Sequence, residues 1–179
     1  GFCLWGTAFV VAQDDDGEGD DPAEVEEIEY EYEYAGTREC RDCHRDAADA
    51  HADTPHALTF IELEDVDEDE PSPVVADFGV ESDLLTVNFP DGERAFTTED
   101  ITYTLGMGRH VQAYVTELDG TLYVLPVEWD TVESDWRALE LAESWPDAAY
   151  EYGPNCAGCH TVGLDTQTYE WEEAGVSCE

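Results

Sequence analysis

Cys40-Arg41-Asp42-Cys43-His44 recurs in pattern as Cys156-Ala157-Gly158-Cys159-His160, and this pair of C-x-x-C-H units governs what the 179-residue chain is expected to be. Each unit sets two thiols three positions apart and an imidazole directly after the second. Three chemistries use thiols at this spacing. A redox dithiol normally opens a helix in a βαβ setting, which the surroundings of Cys40 and Cys156 do not offer. A zinc site could take Cys40, Cys43, Cys156 and Cys159 as four thiolates, but it leaves both following His residues unexplained. Covalent haem attachment uses every residue of the unit: the thiols form thioethers with the two vinyl groups on one porphyrin edge, and the His stands beside the iron. The favoured cofactor is therefore haem c, with at least two groups attached.

The five His and the single Met limit the ligands for the opposite side of each iron. His44 and His160 are the proximal candidates, which leaves His51, His56, His110 and Met107. Imidazole on both sides is expected, giving low-spin iron whose geometry changes little between oxidation states, at lower potential than a His/Met haem. His56, in Thr54-Pro55-His56-Ala57, is the first choice. His110 is the second, because the glycines of Gly106-Met107-Gly108-Arg109-His110 would let backbone approach a flat macrocycle. His51 lies within a helical pattern, where a solvated His is the common outcome. Two cysteines stand outside the units. Cys178 is read as the first thiol of a third unit, which makes the chain a fragment of a longer protein.

Cys3 falls in an apolar, uncharged run, residues 1–12, that is too short to span a bilayer. Ending in Val10-Val11-Ala12 before Gln13-Asp14-Asp15-Asp16, this run reads as the remnant of a secretory signal peptide, and Cys3 would leave with it. Export to the periplasm or the extracellular face of the membrane follows. Residues 13–35 are mostly Asp, Glu, Gly and Tyr and read as an acidic disordered linker, with period-two alternation at Ile28–Tyr34 as a minority case for an edge strand. Residues 36–179 form the expected multihaem domain.

Within it, residues 39–59 read as helical, punctuated by Thr54-Pro55. Residues 64–73 read as an acidic loop closed by Pro71-Ser72-Pro73. Strands are expected at Leu84–Phe89, from Arg94, and at Ile101–Leu105, Val111–Thr116 and Thr121–Leu125, with a tight hairpin at Asp119-Gly120. Residues 132–144 read as a short helix carrying Trp136, Leu139 and Leu141, and residues 145–160 as mostly loop. The fold class is α+β: short helices around the haem motifs, a central antiparallel β-rich segment and much loop. Trp129, Trp136, Trp145 and Tyr152 are expected to be packing residues rather than haem neighbours.

Acids number 46 and bases 6, all Arg, for a formal charge of −40. That field repels nucleic acid and anionic lipid, so neither is an expected partner. The acids are spread along the chain rather than gathered in one patch. Such a spread favours adaptation to high salt, where carboxylates stay hydrated and their repulsion is screened, over a dedicated surface for basic partners.

Thr54-Pro55-His56-Ala57, Tyr103-Thr104-Leu105-Gly106 with Gln112-Ala113-Tyr114, Leu125-Pro126-Val127-Glu128-Trp129-Asp130, Asn155-Cys156-Ala157-Gly158-Cys159-His160-Thr161 and Gly175-Val176-Ser177-Cys178-Glu179 together resemble multihaem cytochromes of the cytochrome c-554 type and their relatives with doubled haem motifs. The resemblance covers roughly residues 36–179. It implies an exported electron carrier with closely packed bis-His haems, redox proteins as partners, and a multihaem complex or oligomer. It also implies an axial role for His56, whereas position 110 varies among relatives and position 51 is often Trp. The expected function is electron transfer. The alternatives are a multihaem oxidoreductase acting on a small nitrogen or sulfur compound, and a zinc-stabilised binding module. The first of these needs a haem with an open position, and no residue is assigned a catalytic role.

Overall fold

The computed structural model describes residues 34–178 except 65, 67, 68 and 70. The run at 1–12 read as a signal-peptide remnant, most of the expected linker and its strand candidate, and part of the acidic loop at 64–73 lie outside the described residues.

Helix α1 spans Gly36–Ala52 and is two helical stretches joined at a kink, where His44 adopts φ −121°, ψ 40°. It starts ahead of the first motif and stops before Thr54-Pro55. The helix expected to reach residue 59 therefore ends early. Proline disfavours helical backbone at the residue before it, and Thr54 Oγ1 instead accepts the Ala57 N–H at 3.3 Å in a turn.

The next elements are β1 (Phe60–Glu62), β2 (Thr86–Phe89), β3 (Gly92–Ala95), β4 (Tyr103–Leu105), β5 (Val111–Leu118), β6 (Thr121–Asp130) and β7 (Asp135–Ala138). They form a five-stranded antiparallel sheet in the order β1-β4-β5-β6-β7 and a separate β2–β3 hairpin. The long β5–β6 hairpin turns at Asp119 and Gly120, with φ 52° and 82°. A two-residue turn of this hand needs left-handed backbone at both positions, which Asp-Gly supplies cheaply.

Alternation along the strands splits the core into two faces. Tyr114, Leu125, Val127 and Trp129 pack on one side with the β2–β3 hairpin, Trp136, Trp145 and Tyr150. Ala113, Val115 and Val124 pack on the other with Phe60, Tyr103, Tyr152 and Ala157. The second face receives the second motif. There Phe60 stacks on Tyr103 and Tyr152, centroids 4.4 and 4.2 Å apart with planes within 10°, and Trp171 meets Phe60 edge-on at 5.7 Å.

The helix expected at 132–144 is not formed. Asp130 Oδ1 accepts the N–H groups of Val132 and Glu133 at 2.9 and 3.0 Å, making a turn, and Ser134 at φ 54° stops any helix there. The chain returns as β7, with Trp136 opposite Trp129. Trp136 is then ringed by Phe78, Phe96 and Trp129 at centroid distances of 5.2, 5.6 and 5.2 Å, a burial no exposed helix would give it. The loop expected at 145–160 contains short helical turns at Ala148–Tyr150 and Gly153–Ala157, followed by the one-turn helix α2 (Gly158–His160). Strands β8 (Thr161–Val162) and β9 (Glu173–Ala174) pair beyond it.

Candidate functional site

In the first motif, Cys40 is half-buried on α1, while Cys43 and His44 are exposed at the kink. An open cleft of about 360 Å³ lies there, lined by Cys43, His44, Arg45, Asp46 and Ala47. Along its 17 residues α1 buries only Gly36 and Ala48. A helix with so little apolar contact gains almost nothing from the protein core, and its order must come from elsewhere.

The second motif is more tightly built. Asn155 Nδ2 donates to the Ala148 and Glu151 carbonyls at 2.8 and 2.9 Å, and Thr161 Oγ1 donates to the Ala157 carbonyl at 2.7 Å. These bonds close the turn at both ends. Cys156 is half-buried, and burial, then the neighbouring Cys159, pushes its thiol pKa up. Cys159 is exposed at the rim of a cleft of about 470 Å³ lined with Val162, Leu164 and Val176. His160 Nδ1 lies 2.7 Å from Thr59 Oγ1. Burial lowers its pKa, against the raising effect of Thr59. If Nδ1–H is the donor to Thr59, Nε2 is the nitrogen left for a metal, and a hydrogen-bonded partner of this kind orients a ligating His.

The strap Gly175–Cys178 runs between the two motifs. Gly175 N–H donates to the His160 carbonyl at 2.9 Å and Val176 N–H to the His56 carbonyl at 3.0 Å. His51 Nε2 sits 2.7 Å from the Val176 carbonyl, and Cys178 N–H donates to Thr37 Oγ1 at 3.2 Å. Backbone and side-chain bonds therefore draw α1, His51, His56, His160 and Cys178 around one segment. The His56 ring is exposed. His51, by contrast, is committed to the strap rather than solvated as expected. His110 stands exposed just before β5, and no hydrogen bond or ion pair ties its ring to either motif among the described residues.

Sequence reasoning missed Thr59 and the strap's partners. Thr59 is the last residue of the expected helix and precedes a strand too short to announce itself, so nothing marked it as a histidine's neighbour.

The residues of each motif fit the attachment of haem. Among the described residues, no three or more His, Cys, Asp or Glu side chains gather to hold a metal ion, and the four motif cysteines are free thiols that do not converge. Each motif instead pairs a half-buried thiol with an exposed one beside an open cleft, next to an imidazole. A flat apolar group held there would cover the surface that α1 leaves unburied.

No protein-family model and no curated protein matches the sequence. Among solved structures, the chain is similar to the outer cell wall cytochrome OcwA, with a TM-score of 0.55 and 24% identity over 82% of this chain and 30% of that one. An undecahaem cytochrome from the S-layer of Carboxydothermus ferrireducens gives a TM-score of 0.47 and 19% identity over 82% of this chain and 20% of that one. The chain thus spans less than a third of the first of these proteins, and its fold is similar to a segment of that cytochrome.

Proposed function

We propose that the chain is part of an exported multihaem cytochrome that transfers electrons through covalently bound haem c. The observation that carries this reading is the second motif: a C-x-x-C-H unit on a turn closed by side-chain hydrogen bonds, whose His160 has Nδ1 2.7 Å from Thr59 Oγ1, so that Nε2 is the nitrogen with no protein partner among the described residues. Bound haem supplies a one-electron iron couple. Cys40 and Cys43, and Cys156 and Cys159, are the thiols that would anchor it, with His44 and His160 as proximal imidazoles. His56 is the first candidate for an opposite ligand, being backbone-tied to the strap with its ring exposed. His110 is a candidate for a haem attached elsewhere in the protein. Cys178 is proposed as the first thiol of a further unit. The apolar run at 1–12 and the outer-wall location named for OcwA support export.

Absorbance spectra of the reduced, haem-loaded protein test the carrier function. Two capped haems leave the spectrum unchanged on adding CO or hydroxylamine. A shift of either Soret band would mean an open iron position and would favour an oxidoreductase.

A further inference from the structure

Helix α1 has no local cap, since Ala35 at its N-cap offers no side-chain oxygen. Its cap comes from β9. Glu173 Oε1 accepts the Thr37 N–H at 2.9 Å, and Oε2 accepts the Thr37 hydroxyl proton at 2.6 Å, across 136 residues of sequence. Gly36 admits the carboxylate: it takes φ +83°, and a Cβ there would stand 3.2 Å from Glu173 Oε1. Having given its proton to Glu173, the Thr37 hydroxyl is an acceptor, and it receives the Cys178 N–H at 3.2 Å. On the other side, Glu173 pairs with Val162, two residues after His160. One carboxylate therefore stands where the first motif's helix, the strand leaving the second motif and the strap to Cys178 meet.

We infer that Glu173 is a positioning residue for the haem sites, holding the helix of Cys40, Cys43 and His44 in a fixed orientation to the segments of His160 and Cys178. This rests on the haem reading above. An anion at a helix N-terminus is favoured by the exposed N–H groups and the helix dipole. Burial works against the charge, but hydrogen bonds from Ser177, Thr37 and Tyr34 outweigh it and keep the carboxyl pKa below its usual value. Thr37 lies one helical turn before Cys40, and a carboxylate held at that end of the helix would favour the oxidised form of a haem attached to it. Two consequences separate positioning from a plain cap. Loss of the charge raises the reduction potential of that haem. Loss of the bond geometry would turn the His44 ring and so alter the low-spin EPR g-values of a haem held by that motif.

The test uses the haem-loaded chain with Glu173→Gln, Thr37→Val, the double variant, Thr37→Ser, and Glu93→Gln as an exposed carboxylate control. Redox titration, EPR and thermal melting are read for each. Glu173→Gln is expected to raise the potential of one haem and change its g-values. Thr37→Val should change the same haem's g-values. The double variant should change them no more than Glu173→Gln alone, because the two side chains act through one contact. Thr37→Ser should restore the wild-type signals, and Glu93→Gln should leave them unmoved. A lower melting temperature with wild-type potentials and g-values would overturn the inference and leave Glu173 a structural cap. So would additive effects in the double variant. If Glu173→Gln does not fold, the Thr37 variants decide by the same EPR readout. A wild-type protein without covalent haem would sink the haem reading itself, a failure seen before any variant is compared.

Discussion

His160 is proposed as an axial imidazole because it follows Cys159, and its ring is held by Thr59, 101 residues earlier. The Thr59 carbonyl also accepts the Gly106 N–H at 2.7 Å, beside the edge strand β1. A long-range pairing of this kind leaves no local pattern. Thr59→Val should loosen the hold of His160 on iron by roughly 10–100-fold, the usual effect of removing a ligand's hydrogen-bond partner. Titration of the loaded protein with imidazole, followed by Soret absorbance, checks it: displacement should begin at lower concentration in the variant. The acidic side chains give a second residue-scale expectation. The backbone N–H of Glu133 is the largest influence lowering the Asp130 pKa, with Val132 and Arg137 adding to it against burial. A carboxylate more acidic in the folded state contributes stability that is complete above its unfolded pKa of about 4 and is lost as pH falls through the lower folded value. Asp130→Asn should therefore melt below wild type at neutral pH, and the gap should close below about pH 4. A gap that stays constant down to low pH would assign the effect to shape rather than charge.

At the scale of elements, the strands from Val111 to Leu125 and their Asp119-Gly120 turn could be read directly, because period-two alternation and turn chemistry are local. The segment after Asp130 could not. Trp136 and Leu139 have helical i, i+3 spacing, and only the surrounding rings of Phe78, Phe96 and Trp129 make a strand the better burial for Trp136. Strand β1 was hidden for a related reason: its Phe60 gains its place from a stack with Tyr103 and Tyr152 that are remote in sequence. Trp136→Ala should cost about 3–5 kcal/mol, the range for removing a large buried aromatic. Urea denaturation measures it. A loss of under about 1 kcal/mol, the size of a surface change, would mean that the ring cluster does not hold β7 in place.

For the whole molecule, two properties act together: a formal charge of −40 and a first motif whose helix buries only two of its residues. The charge was plain in the sequence and its spread along the chain argues for a high-salt setting. Raising KCl from about 0.1 to 1 M shortens the screening length from roughly 10 to 3 Å, so the melting temperature should rise steadily over that range. A flat or falling curve would count against salt adaptation and for specific ion pairs or a basic partner. The thin packing of α1 makes the central claim a matter of haem. It is tested most directly by counting covalent haem in purified protein, by pyridine haemochrome absorbance and intact mass together. The account expects at least two haems, one fewer when Cys156 and Cys159 are both changed to Ala, and again one fewer when Cys40 and Cys43 are. Protein without covalent haem, or with bound zinc in its place, would contradict it.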